Sequence, residues 1–362
     1  MNKDENDKVE QPALDQLQRL GWDYVHGKQL SPEESKERVY YSDVVLIKRL
    51  ESSIQRLNPW INDENLRKVV RLIAKPQTTS LIETNQALWQ SLTQYLSVEQ
   101  DLGKGRRGQT VKVIDFDAPD NNEYLCTNQF KVSGVNQNII PDIILFVNGL
   151  PLAVIECKSP FITNPMEAGI DQLLRYANRR TPHDDEGAEK LFHYNQMMVS
   201  THRDKARVGT ISSRIEHYLE WKDPYPFTPE KVFTDNKADA ANDESDAGIV
   251  GLAAEGTLAY QTAQDLMPNS QQVLIAGLFS KTNFLDMVQN FTVFEPTDGR
   301  VVKKIARYQQ FRAVHKTMAR IKSGKTRKER GGVIWHTQGS GKSLTMVFLT
   351  VKMRRDAELS QY

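Results

Sequence analysis

Two carboxylates and a lysine border an apolar stretch of this chain in a spacing that suits metal-dependent chemistry. The stretch reads IIPDIILFVNGLPLAVIECK, with Asp142 before the first apolar run and Glu156 and Lys158 at the end of the second. Glu156 and Lys158 are two residues apart, so on a strand they point to the same face. Two carboxylates suit a hard cation such as Mg²⁺, and a nearby lysine can hold a phosphate or an attacking water. These residue types predict phosphodiester hydrolysis.

The dipeptide Asn-Gly at residues 148–149 predicts a β-hairpin between the two apolar runs. A two-residue turn there would put Asp142 and Glu156 on opposite faces of the sheet, because opposed residues share a face. A shared metal ion therefore requires that Val147 pair with Pro151, which leaves a three-residue loop. The alternative is a hairpin whose terminal charges pair with each other at the surface.

A helix is expected soon after Lys158. Asn164 is typical of a helix N-cap and Pro165 of the first helical position, and apolar residues follow at helical spacing. Gln172 and Tyr176 lie one turn apart beside this apolar stripe. Alone they would be an ordinary polar helix edge, but directly after the lysine they become candidates for supporting the same chemistry.

A second group of chemically informative residues lies near residue 340. An apolar run at residues 331–336 predicts a short buried strand, residues 337–343 (TQGSGKS) a glycine-rich loop, and residues 344–355 a helix. In a phosphate-binding loop of this kind, backbone N–H groups hold the phosphates, the lysine reaches the outer phosphates and the final serine holds Mg²⁺. The candidate ATP contacts are Gly339, Ser340, Gly341, Lys342 and Ser343.

An aromatic residue and two glutamines precede this loop at the start of a predicted helix. Tyr308 offers a stacking face for adenine, and an amide can both donate to and accept from the adenine edge. Gln310 is the preferred adenine contact and Gln309 the other candidate. The alternative is an amphipathic helix that only packs on a sheet.

The two groups together resemble the motor (R) subunit of type I restriction endonucleases. The Asp, Glu-x-Lys and Gln-x-x-x-Tyr residues resemble the PD-(D/E)xK nuclease motif and its following helix, and the loop resembles that of superfamily 2 helicases. The segments FTVFE, ARYQQFRAV and WHTQGSGKSLTM follow in the order of that family. The resemblance implies nuclease roles for Asp142, Glu156 and Lys158, supporting roles for Gln172 and Tyr176, and an ATP role for Lys342.

The resemblance also implies an α/β fold, with a PD-(D/E)xK nuclease-like mixed sheet flanked by helices and the start of a superfamily 2 RecA-like domain. We expect a flexible tail at residues 1–12, an endonuclease domain at 13–290 with a mobile insertion at about 234–247, and a helicase-like ATP-binding part at 291–362. Only 19 residues follow Ser343. We therefore expect a truncated motor, with weak ATP binding and no ATP hydrolysis.

The implied function is Mg²⁺-dependent cleavage of double-stranded DNA by the nuclease part of an ATP-dependent restriction enzyme. The implied partners are double-stranded DNA and the modification (M) and specificity (S) subunits. The alternative is an inert scaffold or nucleotide-binding fragment that acts only within the assembled complex. Glu51, on a predicted helix at residues 42–57, is a further candidate metal ligand, and a glutamate at the rim of the fold is an equal alternative.

Composition is consistent with a cytoplasmic protein. The net charge of +1 gives no global positive field, and the two cysteines cannot form a disulfide framework. The sequence contains no run of about 18 apolar residues and begins with a polar, acidic segment, so we expect no membrane span and no signal peptide.

Overall fold

The computed structural model describes residues 3–76, 80–180, 185–237, 267–335, 338–339 and 341–360. The helices are α1 (Lys3–Glu5), a π-helical turn (Asn6–Glu10), α2 (Gln11–Arg19), α3 (Ile47–Leu57), α4 (Asp63–Ala74), α5 (Leu81–Thr93), α6 (Pro165–Tyr176), α7 (Glu189–Phe192), α8 (Pro229–Lys237), α9 (Ser270–Phe279), α10 (Lys281–Asn290), α11 (Tyr308–Ser323), α12 (Arg327–Arg330) and α13 (Lys342–Arg355). The strands are β1 (Asp23–Tyr24), β2 (Leu96–Asp101), β3 (Arg106–Val111), β4 (Tyr124–Asn128), β5 (Val132–Ser133), β6 (Asn138–Ile139), β7 (Ile143–Val147), β8 (Leu150–Cys157), β9 (Met197–Thr201), β10 (Ala206–Gly209), β11 (Leu219–Glu220), β12 (Thr292–Thr297) and β13 (Arg300–Ile305).

Within the described residues, seven strands form one mixed sheet in the order β1-β4-β7-β8-β9-β10-β11. The outer β1–β4 pair and the central β8–β9 pair are parallel, and the other neighbours are antiparallel. Every residue of β7, β8 and β9 is buried, so both faces of the central sheet are covered. The predicted α/β class with a mixed sheet and flanking helices is confirmed.

The turn of the β7–β8 hairpin differs from the prediction. Asn148 and Gly149 have φ angles of 50° and 80°, the left-handed values that a two-residue hairpin turn requires. Val147 therefore pairs with Leu150. The predicted three-residue loop, with Val147 opposite Pro151, is wrong.

A β-bulge supplies the shift in register that the turn does not. Leu145 pairs with Ala153, but the next residue, Phe146, pairs with Pro151, so Leu152 is an extra residue on β8. Proline lacks a backbone N–H and is tolerated at bulges, which fits its position beside this one. Beyond the bulge, Ile143 pairs with Ile155, and an extension of this register by one residue would put Asp142 opposite Glu156.

The prediction of a flexible tail at residues 1–12 is wrong for residues 3–12, the part that the structure describes. Residues 3–10 are helical and lead directly into α2, and Val9 and Glu10 are fully buried. The side chain of Gln271 donates a hydrogen bond to the Val9 carbonyl, which fixes this segment to α9. Of the expected insertion at 234–247, residues 234–237 complete α8, and residues 238–247 lie outside the described residues.

The prediction of a buried strand before the glycine-rich loop is also wrong for residues 331–335, the part that the structure describes. Residues 331–335 form no strand, and Val333 and Trp335 are 91% and 89% exposed. An apolar run becomes a buried strand only beside a neighbouring strand, and in the described part of the chain none pairs with it. By contrast, α11 and α13 pack together through a buried group of rings formed by Phe291, Phe311 and Phe348.

Candidate functional site

The structure brings the carboxyl groups of Asp142 and Glu156 together at the end of the β7–β8 hairpin that lies opposite its turn. The backbone N–H of Cys157 donates to Asp142 Oδ2 at 2.7 Å, which fixes the orientation of that carboxyl group. The Asp142 carboxylate is near enough to Glu156 to raise the pKa of Glu156. The bulge on β8 is what places them on one face.

Lys158 completes this cluster. Its Nζ donates to Glu156 Oε1 at 2.6 Å and to the Cys157 carbonyl at 2.9 Å, and the side chain is buried. Helix α6 passes close above, because Gly169 has no Cβ; a Cβ there would lie 3.3 Å from Lys158 Cγ and would clash with Ser200 Oγ. The predicted Glu-x-Lys pair is thus a buried ion pair beneath α6.

The cluster holds more negative charge than its single lysine can balance. Burial raises the pKa of Asp142 to about 6, against the opposing effect of Lys158. Burial and the neighbouring Asp142 raise the pKa of Glu156 well above its usual value. Burial lowers the pKa of Lys158, but the two carboxylates outweigh it and the net shift is upward. The electrostatics therefore favour a further cation.

The donor set fits a hard divalent cation. The Glu156 side chain is completely buried, so water cannot reach it. Its Oε2 atom nevertheless has no hydrogen-bond partner. Such an atom is costly unless something binds it. Among the residues that the structure describes, no three His, Cys, Asp or Glu side chains form a ready metal-binding group. Asp142 and Glu156 would thus be a two-carboxylate site, which suits Mg²⁺ because that ion keeps several of its waters.

Gln172 and Tyr176 lie beside the carboxylates. Gln172 Nε2 donates to Tyr176 Oη at 2.6 Å, and Tyr176 Oη donates to the Ile140 carbonyl at 3.2 Å. Burial raises the pKa of Tyr176, and the nearby Glu156 raises it further. Helix α6 begins at Pro165 as predicted, but Asn164 makes no side-chain cap and has a left-handed φ of 50°. The helix therefore holds Tyr176 against the segment that leads into Asp142.

The structure does not bring Glu51 to this site. Its helix, α3, begins at Ile47, and the preceding Leu46 donates a backbone hydrogen bond to the Gly149 carbonyl in the hairpin turn. The turn and the carboxylates lie at opposite ends of β7, about 17 Å apart at roughly 3.3 Å per residue. Glu51 is partly exposed, as the rim alternative predicts.

One acidic residue at this end of the sheet was missed from the sequence. Glu10 is fully buried, accepts a hydrogen bond from Asn128, and is near enough to raise the pKa of Asp142. The available signal was a helical stripe of buried residues that continues through Glu10, formed by Val9, Ala13, Leu14 and Leu17. The polar composition of the first residues concealed it.

The described glycines of the glycine-rich loop adopt left-handed backbone conformations. Gly339 and Gly341 have φ angles of 77° and 84°, which only glycine adopts without strain. Helix α13 begins at Lys342, and both Lys342 and Ser343 are exposed. Ser340 lies outside the described residues.

Of the two glutamines, Gln310 reaches the loop. Its Nε2 donates to the Gly341 carbonyl at 2.8 Å, and its Oε1 accepts from the Arg307 backbone N–H at 2.8 Å. Gln309 is exposed on the wall of a cavity of about 1170 Å³. Tyr308 lines the same cavity and packs edge-on against Trp221, at 6.4 Å between ring centroids. The adenine assignment therefore stays a prediction, with Gln310 placed at the loop and Gln309 at the cavity.

Two family descriptions match this chain. The N terminus of the type I restriction enzyme R protein matches residues 2–217, more than half of the chain. The SWI2/SNF2 ATPase family matches residues 309–362, which include the glycine-rich loop. Among the described residues, no helix is long and apolar enough to cross a membrane.

Curated relatives agree with the first match. The type I restriction enzyme HindI endonuclease subunit of Haemophilus influenzae is 32% identical over 360 residues, 98% of this chain and 30% of that protein. The putative type I restriction enzyme MjaIXP endonuclease subunit of Methanocaldococcus jannaschii is 27% identical over 360 residues, 97% of this chain and 32% of that protein. The chain thus spans about a third of the length of these relatives. It belongs to the family of type I restriction enzyme R proteins and corresponds to their N-terminal part.

Proposed function

We propose that this chain cleaves double-stranded DNA in a Mg²⁺-dependent reaction, as the nuclease part of an ATP-dependent type I restriction enzyme. The observation that carries the proposal is the buried cluster of Asp142, Glu156 and Lys158, with one carboxylate oxygen left without a partner. The relatives of the chain are named endonuclease subunits, which supports a role in restriction of foreign DNA.

Each residue of the cluster has a role that its contacts support. Asp142 and Glu156 would hold the cation, which supplies charge neutralisation and a more acidic bound water. Lys158, fixed between Glu156 and the Cys157 carbonyl, would stabilise negative charge on the scissile phosphate. Tyr176, oriented by Gln172, anchors the Ile140 carbonyl two residues before Asp142, so this pair would position the metal-binding carboxylate.

ATP binding at the glycine-rich loop is the second part of the proposal. The left-handed glycines, the helix that begins at Lys342 and the contact from Gln310 support it, as does the SWI2/SNF2 match. Lys342 would contact the outer phosphates and Ser343 would hold Mg²⁺. The M and S subunits of a restriction-modification complex are the proposed partners, with double-stranded DNA as the substrate.

Nicking of supercoiled plasmid DNA tests the nuclease assignment. We expect nicking with Mg²⁺ or Mn²⁺ and inhibition by Ca²⁺, whose coordination is looser and higher. Asp142→Ala, Glu156→Ala and Lys158→Ala should each abolish it while the circular dichroism spectrum stays that of the folded protein. One assay uses this chain alone. A second assay uses the complete R subunit together with the M and S subunits.

The outcome also separates the alternatives. Cleavage only after the partners are added would identify a scaffold whose nuclease depends on the complex. Absence of Lys158-dependent cleavage in both assays would refute the nuclease function.

A further inference from the structure

The loop that follows Lys158 carries an exposed aromatic side chain. Phe161 is 71% exposed, and the next residue, Ile162, is 37% exposed. In the segment that leads into the cluster, two residues before Asp142, Ile140 is 43% exposed. Both chain segments that supply the cluster thus carry large apolar side chains at the surface. The metal chemistry proposed above uses none of these side chains.

The exposed ring of Phe161 is held in a defined position. Residues 159–162 (SPFI) form a tight turn with proline at its second position. In this turn the backbone N–H of Ile162 donates to the Ser159 carbonyl at 3.4 Å, and that of Phe161 donates to Ser159 Oγ at 3.3 Å. The Lys8 ammonium lies 4.5 Å from the centroid of the ring. Ser159 is buried, so the base of the turn is fixed while its corner presents the ring to solvent.

The turn lies within reach of a DNA strand that enters the cluster. Consecutive Cα atoms are about 3.8 Å apart, so the Cα of Phe161 is at most about 11 Å from that of Lys158. Successive nucleotides of a strand rise about 3.4 Å along the duplex axis, so roughly three base steps cover this distance. When the scissile phosphate lies at Lys158, the nucleotides beside it therefore pass close to the ring.

The chemistry of the ring selects the part of a nucleotide that it contacts. The neighbouring charge of Lys8 is already paired, because its Nζ lies 2.9 Å from Asp4 Oδ1. The exposed group of this surface is therefore the apolar ring, which Ile162 enlarges. Sugars and base faces pack against aromatic rings, and proteins insert phenylalanine and isoleucine side chains between base steps. A ring at this position is suited to the apolar parts of DNA rather than to its phosphates.

We propose that Phe161 is a DNA-contacting residue whose ring packs against the sugar and base of a nucleotide next to the scissile phosphate. The inference rests on the proposed function, because it takes the carboxylate cluster as the position of that phosphate. The contact holds the strand at a fixed distance from Lys158, so that the phosphate to be cleaved stays at the metal-binding carboxylates.

Equilibrium binding of a short fluorescent DNA duplex tests the inference, with Ca²⁺ in place of Mg²⁺ to prevent cleavage. We expect Phe161→Ala to weaken binding at least about 5-fold, the loss of one contact between a base and an aromatic ring. Phe161→Trp should retain wild-type affinity. Contacts to phosphate set the salt dependence, so the slope of log K against log salt concentration should stay that of wild type in both variants.

Two controls accompany this measurement. Because the ring is exposed, Phe161→Ala should keep the melting temperature of the wild type. Leu72→Ala is the matched control, since Leu72 is 51% exposed on α4, which packs against α3 and β2, and its truncation should leave DNA affinity unchanged. Binding is measured with this chain and with the complex of the complete R subunit and the M and S subunits.

The possible results separate this inference from the nuclease proposal. If Phe161→Ala binds the duplex as tightly as wild type, the contact is refuted and the metal chemistry is unaffected. Weaker binding with a reduced salt slope or a lower melting temperature also refutes it. If the wild type binds DNA through Phe161 but does not nick it, the nuclease proposal fails alone. If the wild type binds no duplex in either form, both fail.

A protein partner for the ring gives a different result. If Phe161→Ala binds DNA normally but no longer assembles with the M and S subunits, the ring belongs to a protein interface and the inference is refuted.

Discussion

At the scale of single residues, the carboxylate cluster is a source of instability when no cation is bound. Asp142 and Glu156 are buried side by side, and Lys158 is the lysine that acts on both. Like charges in a buried site raise each other's pKa and favour protonation. Binding of a cation would remove this cost, so the same residues that weaken the metal-free fold would bind the metal.

Removal of the Asp142 charge should therefore stabilise the metal-free protein. Burial raises the pKa of Asp142 to about 6, so its favourable contribution is present at low pH and is lost as the pH rises through 6. Asp142→Asn keeps an acceptor for the Cys157 N–H, and we expect it to be more stable than wild type by roughly 1–3 kcal/mol at pH 7.5. Urea denaturation with EDTA, at pH 5 and pH 7.5, measures this difference.

The advantage of Asp142→Asn should shrink at pH 5 and should reverse when millimolar Mg²⁺ stabilises only the wild type. A large destabilisation of Asp142→Asn at both pH values would instead identify Asp142 as a structural residue.

At the scale of elements, the hairpin depends on two local irregularities, a tight turn and a bulge. The turn also contacts α3: a Cβ on Gly149 would lie 2.5 Å from the Leu46 carbonyl oxygen and 3.0 Å from the Leu50 nitrogen. Both are backbone atoms that cannot easily move. Gly149 therefore satisfies the turn conformation and the packing of α3 together.

Gly149→Ala should consequently lower the free energy of unfolding by more than the cost of a left-handed alanine alone. A left-handed non-glycine residue costs about 1–3 kcal/mol, and the clash with α3 adds to it. Gly299→Ala is the matched control, because Gly299 has a φ of 74° in the β12–β13 turn but no atom within 4 Å of the position that a Cβ would take. Thermal unfolding should show a clearly larger loss for Gly149→Ala, and equal losses would contradict the proposed contact.

A second inter-element contact joins the three helices α10, α11 and α13. Lys352 Nζ on α13 lies 2.7 and 2.6 Å from the two carboxylate oxygens of Asp286 on α10. His315 Nε2 on α11 lies 2.8 Å from Asp286 Oδ2. Burial raises the pKa of Asp286, but His315 and Lys352 together lower it by more, so the net shift is downward.

Asp286→Asn should destabilise the protein by roughly 3 kcal/mol at neutral pH, because it leaves Lys352 without its buried partner. Since the pKa of Asp286 is lowered, its contribution is present above about pH 4 and is lost as the pH falls through the folded pKa. Asp356→Asn, which breaks the more exposed pair with Lys322, should cost less than about 1 kcal/mol. Guanidinium unfolding at pH 7 and pH 3 compares them, and equal effects would refute a buried ionic contact.

At the scale of the whole molecule, the seven-stranded sheet and the glycine-rich loop are joined by packed structure. Buried Lys303 on β13 donates to Asn85 Oδ1, the Asn195 carbonyl and Gln196 Oε1, which fastens the β12–β13 hairpin to the region around β9. Helices α11 and α13 then pack against α10. The glycine-rich loop is thus supported by helices that connect to the seven-stranded sheet.

Hydrogen exchange should reflect this arrangement. We expect the slowest exchange in β7 and β8, which are buried at every residue, and intermediate protection in α11, which buries Phe311 and Val314. Residues 332–335, which are exposed and belong to no strand, should exchange fastest among these segments. Mass-spectrometric exchange of the whole chain measures all of them, and strong protection at 332–335 would show that a strand forms there in solution.

Short-range features of this protein were determined by the sequence itself. The Asn-Gly turn, the start of α6 at Pro165 and the left-handed glycines before α13 each depend on the conformational preferences of one or two residues. The proximity of Asp142, Glu156 and Lys158 was also predictable, because the three residues flank a single turn in the chain.

The tertiary structure decided what depends on distant partners. The bulge at Leu152 shifts the pairing of β7 and β8 by one residue, so the three-residue loop that was predicted from a shared metal ion was not needed. The apolar run at 331–335 stayed out of any sheet because no described strand lies beside it, and Glu10 became buried because α9 and β4 receive its segment. Burial and register are properties of whole sheets and packed helices, and a local pattern of residue types cannot specify them.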